Sequence, residues 1–154
     1  MKFLKISIIF LFFLNSCATY QDLNVHNFAL SSTEKQFILN FENAVVKHKV
    51  KLLREMLHPI YKSQQLNDLY NGDANALFND FFCGKDIQTN KFVCIKLRNV
   101  RDIELKNVLP GYQSKEKILV FKVQGYDHTI ILELSMRPFN KDGKIKYGII
   151  GAFG

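Results

Sequence analysis

The residues of this chain best suited to chemistry are four histidines and three cysteines, and their spacing decides what they can do. His26, His48, His58 and His128 show none of the short intervals that gather imidazoles around a metal, and Cys83 and Cys94 form no CxxC pair. No metal and no cofactor is expected. Asp127-His128 is the only adjacent acid–imidazole pair. It falls in a short connection between two alternating runs, where turn chemistry accounts for the aspartate. His58 precedes Pro59 and is expected to end a helix, where an imidazolium suits the negative end of the dipole. Gly148, Gly151 and Gly154 lie in an alternating run, where glycine permits a bend or close packing and does not make a phosphate loop. No catalytic residue is assigned.

Cys17 stands apart from the other two cysteines. Lys2 and Lys5 precede an apolar run from Ile6 to Leu14, and small Ser16 comes just before Cys17. Charge, apolar core and small residues in that order make a secretory signal. The run is shorter than the roughly 20 residues that span a bilayer as a helix. Leu14-Asn15-Ser16-Cys17 resembles the lipobox of bacterial lipoproteins. That resemblance implies a diacylglyceryl group on the Cys17 thiol, cleavage before it, and a membrane partner reached through this anchor. Residues 1–16 would be the signal and 17–31 the lipidated N-terminus and tether. The location implied is the cell envelope. Ala18 stands where some Gram-negative bacteria use an aspartate for retention at the inner membrane, so the outer membrane facing the periplasm is favoured.

Cys83 and Cys94 would then be an even pair in a compartment that permits disulfides. A bridge would close a loop of about 10 residues and add roughly 3 kcal/mol. Alternation over 91–98 places Val93, Ile95 and Leu97 on one face and Cys94 on the other, turned from Cys83. The expectation is two reduced, at least partly buried thiols, with the bridge as the alternative. The composition, 47% hydrophobic and 23% charged, is that of a globular domain. A net charge of +7 would suit anionic head groups or nucleic acid. Export, and the lack of a basic stripe interleaved with aromatics, argue against nucleic acid.

The elements follow from apolar spacing. Ser31 and Glu34 have capping-box spacing, and Phe37, Ile38, Phe41, Ala44 and Val45 recur at helical steps. Lys47-His48-Lys49 interrupts that helix, and Val50, Leu53 and Leu57 begin a second. Residues 61–71 allow a third. Asn71-Gly72-Asp73 is a turn, Asp73 caps a helix carrying Leu77, Phe78 and Phe81, and Gly84 is placed at its left-handed end. After Gly84 the apolar period falls to two. Strands are expected at 91–98, around Ile103, at 117–124, and on either side of the Asp142-Gly143 hairpin turn. Lys96, Arg98, Lys122, Gln124, Glu133 and Ser135 are assigned to a solvated face. Helices followed by an antiparallel meander define an α+β domain over 32–154, with the N-terminal helices on one face of a curved sheet.

That order, carried by Phe37 to Val46, Leu52 to Tyr61 and the late meander, resembles the cystatin-like fold of the nuclear-transport-factor-two and ketosteroid-isomerase superfamily. The resemblance implies a cone between helices and sheet that His58, Tyr61, Tyr70 and Tyr147 could face. The functional expectation is a lipid-anchored binding or interaction module with an envelope protein as partner. The alternatives are a structural accessory subunit of an envelope complex, or a small cone-pocket enzyme.

Overall fold

Ser31 opens the first helix as the spacing predicts. Its hydroxyl accepts from the Glu34 amide at 3.2 Å, and the Glu34 carboxylate accepts from the Ser31 amide at 2.7 Å. The computed structural model describes residues 30–153; the signal, Cys17 and the tether up to residue 29 lie outside the described residues. Helix α1 (Ser32–Val46) buries Ile38, Phe41, Ala44 and Val45, one face at three- and four-residue steps. It ends at Lys47, and His48 at φ 51° turns the chain into α2 (Val50–Glu55). Helix α3 (Pro59–Tyr61) follows and continues as a π-helical stretch, Lys62–Asn67, that buries Leu66. Asn71 and Gly72 both take positive φ, and the Asp73 carboxylate accepts from the Asn75 and Ala76 amides to start α4 (Ala74–Phe81).

The sheet is an antiparallel meander in chain order: β3 (Asp102–Pro110), β4 (Lys117–Gln124), β5 (Thr129–Lys141) and β6 (Lys144–Phe153). Asp142 and Gly143, at φ 54° and 72°, supply the two left-handed residues of the tight β5–β6 turn. Register shifts between Leu105 and Asn107 and between Ser135 and Met136 are bulges that bend the sheet. The helices close over the face that carries Leu119, Phe121, Val123, Ile130, Leu132 and Leu134. Phe41 meets Phe121 at 5.5 Å between ring centroids. Four helices on antiparallel sheets make the fold α+β, with the helices before the meander as expected.

The expectation for 83–98 needs correction. Helix α4 stops at Phe81, and Gly84 is a strand residue of β1 (Cys83–Lys85), not a left-handed cap. β1 pairs with β2 (Phe92–Cys94) in a separate two-stranded sheet. Beyond β2 the strand does not continue: Leu97–Asn99 is a turn of 3-10 helix, held where the Asn79 side chain accepts from the Leu97 amide. Ser135 is also displaced from the solvated face. It is buried, and its hydroxyl donates to Glu116 at 2.6 Å.

Phe121 has no exposed surface, and its strand neighbours on the same face are buried too. Phe121→Ala is expected to lower unfolding free energy by about 3–5 kcal/mol, read from chemical denaturation curves of the two proteins.

Candidate functional site

The four residues assigned to a cone are not gathered into one. The space between helices and sheet is filled by Phe41, Phe78, Phe82, Phe121, Leu53 and Leu66. Tyr61 lies edge-on to Phe81, and burial pushes its hydroxyl up from the ordinary value. Tyr70 donates to Asp80 at 2.7 Å, and that bond above all holds its pKa up at about 12. Tyr147, on β6, lies against Phe37 of α1. His58 does not end a helix. It is the N-cap of α3, with Pro59 at the first helical position. Its Nδ1 accepts from the Ile60 amide at 3.3 Å, so the ring serves as a neutral acceptor. Burial, then the charge of Arg137, hold its pKa below the usual imidazole value. The expected imidazolium is therefore replaced by a neutral cap at the opposite kind of helix end.

Cys83 and Cys94 are joined, Sγ to Sγ, at 2.04 Å. They are direct cross-strand partners in β1–β2, which overturns the expectation of two thiols. Alternation turns Cys94 away from Cys83 only if 91–98 runs as one strand, and the strand stops at Cys94. The small hairpin sets its own register, and that register places the two cysteines opposite each other.

His128 does not act with its neighbour Asp127. Its Nδ1 meets Asp86 Oδ2 at 2.6 Å, and Asp86 Oδ1 accepts from the Gln88 and Thr89 amides. Burial alone would raise the Asp86 pKa; the two amides and the His128 ring outweigh it and hold the carboxyl below its usual range. The pair fastens the end of the β1–β2 hairpin to the start of β5. There the Ile87 amide donates to the Thr129 carbonyl at 2.8 Å and Asp86 bridges to Ile130. No other side chain of the described residues hydrogen-bonds the His128 ring, so the geometry is that of a clasp. Beside it, where β6 stops opposite Glu133, a cavity of about 480 Å³ lies among Lys85, Ile87, Asn90, Ile131, Glu133 and Phe153.

A second buried carboxylate stands at the other end of the sheet. Glu116 accepts from Ser135 at 2.6 Å, from Arg137 at 3.1 Å and from the Gln113 amide at 3.2 Å. Burial would raise its pKa; these partners hold it below the usual value. A Cβ at Gly111 would collide with the Glu116 side chain, so the glycine makes room for it. Composition gives no signal for this cluster, because its members are brought together only by strand register.

A broad concavity of about 920 Å³ runs between α1, α2 and the β5–β6 ribbon. β4 begins at Lys117 opposite Met136, so the β5 and β6 residues from 138 to 147 pair only with one another and overhang the sheet. The groove is lined by Phe37, Leu52, Met56, Phe139, Ile145 and Tyr147, with Lys62, Lys141 and Lys146 at its margin. Of the four candidate pocket residues only Tyr147 lines it. The sequence carried a signal for this place, since lysines flank Asp142-Gly143 on both sides. Comparison with protein-family models, curated proteins and solved structures returns no match. Among the described residues no helix is long and apolar enough to cross a membrane.

The disulfide should leave Cys83 and Cys94 unalkylated in the folded protein, and the peptides that carry them should be found joined, two hydrogen atoms lighter than the sum of their reduced forms. Cys83→Ser combined with Cys94→Ser should lower stability by about 2–3 kcal/mol in denaturant titrations. A pH dependence follows from the carboxylates. Asp86, Glu116 and Glu34 all have lowered pKa values; in Glu34 burial acts upward and is outweighed by Lys117 and Ser31. Each contributes stability above its unfolded-state pKa, and that stability is lost as pH falls through the folded value. Glu42 opposes them: burial, with Asp102 and Glu104 nearby, raises its pKa despite the bond from the Leu105 amide. Three against one, stability should fall on acidification below about pH 4.5. Glu116→Gln should cost about 1–2 kcal/mol at neutral pH, with the gap to wild type closing in acid.

Proposed function

We propose that this protein is a lipid-anchored component of a bacterial cell envelope whose folded domain is a binding or interaction module. The observation that carries the reading is the Cys83–Cys94 bond. Of three cysteines, it leaves Cys17 with no cysteine of the same chain to pair with. A disulfide also suits an exported chain, since reducing compartments keep such pairs open. Cys17 stands directly after the apolar run, with Ser16 before it, as a lipobox requires. Two or more acyl chains there would anchor the domain stably, where one gives only reversible attachment. In a Gram-negative envelope Ala18 favours the outer membrane, facing the periplasm.

An interaction role is supported by the filled interior and by the groove on the surface. Phe41, Phe78, Phe82 and Phe121 occupy the place where a cone-shaped substrate pocket would lie. The exposed apolar residues Leu52 and Ile145 stand at the open groove instead, as at surfaces that meet a partner.

Cells expressing the wild type should incorporate a clickable palmitate analogue into the protein, and the labelled protein should fractionate with membranes. Cys17→Ser should abolish both the label and the stable membrane association. A wild type that takes no label, or a Cys17→Ser protein labelled and retained to the same extent, overturns the anchored reading.

A further inference from the structure

We infer that the overhanging β5–β6 ribbon is a second membrane contact, which rests on an anionic phospholipid leaflet and sets the orientation of the domain. The inference extends the anchored reading above.

Charge is the first argument. Lys141 and Lys144 are direct cross-strand partners, and Lys146 stands opposite Phe139 on the same ribbon. Like charges set opposite each other oppose strand pairing. Among the described residues none of these lysines, nor Lys62 across the groove, is in an ion pair. Asp142 in the turn and Glu55 on the groove wall are the acids nearby in the fold, so positive charge is in excess there. A sheet of phosphodiester head groups supplies the missing anions, and many at once.

Apolar surface at the same place is the second argument. Ile145 is 66% exposed between Lys144 and Lys146, and Leu52, 43% exposed, lies on the facing wall. Ile145 leaves the opposite face of the ribbon from Lys144 and Lys146, so a ribbon that enters tip-first brings an apolar side chain and lysines together at the boundary between head groups and acyl chains. The lysine stems can lie along the apolar layer while the ammonium groups stay among the phosphates.

Position is the third. Thr33, in the first turn of α1, lines the same groove as Lys141, Ile145 and Lys146. The chain from Cys17 therefore reaches the folded domain beside the ribbon, and that connection can extend at most about 45 Å. A bilayer holding Cys17 is within reach of the ribbon. The other lysine cluster, Lys47, Lys49 and Lys51, sits at the far end of α1 and serves as an internal control.

The test uses residues 17–154 carrying Cys17→Ser, so its result does not depend on lipidation and is read separately from the palmitate labelling. Cosedimentation is measured with phosphatidylcholine vesicles, with and without phosphatidylglycerol. Binding is expected only to the anionic vesicles and should weaken with salt. Replacing Lys141, Lys144 and Lys146 together by Gln should weaken it by about fivefold per lysine, while the same change at Lys47, Lys49 and Lys51 should leave most of it. The chain has no tryptophan, so Ile145→Trp is a single reporter on an exposed site. Its emission should shift to the blue with anionic vesicles, and that of Ile87→Trp, on another exposed site, should not. Circular dichroism and the retained disulfide confirm that each variant is folded. Failure to bind anionic vesicles at low salt, equal loss from both lysine sets, or an unshifted Ile145→Trp spectrum overturns the inference. So does capture of an acidic envelope protein by the ribbon without any vesicle binding.

Discussion

Two backbone hydrogen bonds tie the helical layer to the sheet, and the rest of the structure is arranged around them. The Ile149 amide donates to the Met56 carbonyl and the His58 amide donates to the Ile149 carbonyl, each at 2.9 Å. The connector between α2 and α3 thus pairs in parallel with the middle of the edge strand β6. This contact needs Gly148, because a Cβ there would lie 2.6 Å from His58 Cα and 2.7 Å from its amide nitrogen. Backbone has no compliant rotamer with which to yield, so a side chain at 148 would push the connector off the strand. The pairing covers part of an edge that would otherwise present unpaired amides and carbonyls. It also delivers His58 to its position as the cap of α3 and turns α2 so that Leu52 and Met56 form a wall of the groove.

Around that seam the chain uses a few buried carboxylates to hold elements whose apolar contacts alone would leave them loose. Glu34 caps α1 and reaches Lys117 at the start of β4, at 2.7 Å. Glu42, one long stride further along α1, accepts from the Leu105 amide beside the bulge in β3. One helix therefore grips neighbouring strands at two points. Asp86 fastens the disulfide-bonded hairpin to β5, and Glu116 ties the β3–β4 connection to Ser135 and Arg137. Glu34, Asp86 and Glu116 each have several donors, which is the condition under which a buried charge is tolerated, while half-buried Glu42 has the Leu105 amide.

Among the described residues the ribbon lysines, like Lys47, Lys49 and Lys51, have no carboxylate partner. Elsewhere Lys106 meets Glu104 and Lys117 meets Glu34, while the ribbon sets Lys141 directly opposite Lys144. A domain optimised only for its own stability would place an acid at one of those positions. Exposed Ile145 beside them departs from a fold-only logic in the same way. An anchor at Cys17 and the ribbon contact would give the domain one covalent and one electrostatic attachment on the same side.

Local chemistry carried much of the architecture in the residues themselves. The Ser31–Glu34 capping box, the Asp73 cap, the Asn71-Gly72 and Asp142-Gly143 turns and the change of apolar period all act over a few residues, so their geometry follows from neighbours in sequence. Tertiary structure decided what depends on register and on contacts between distant segments. The Cys83–Cys94 bond arose because a short hairpin left the main sheet and took its own register. His128 found Asp86 across 42 residues in place of adjacent Asp127. His58 became a neutral cap because Pro59 starts a helix there as readily as proline stops one. Ser135 left the solvated face because Glu116, brought over by the turn after β3, needed its hydroxyl. Alternation names two faces of a strand, but it does not say what the rest of the chain will bring to either of them.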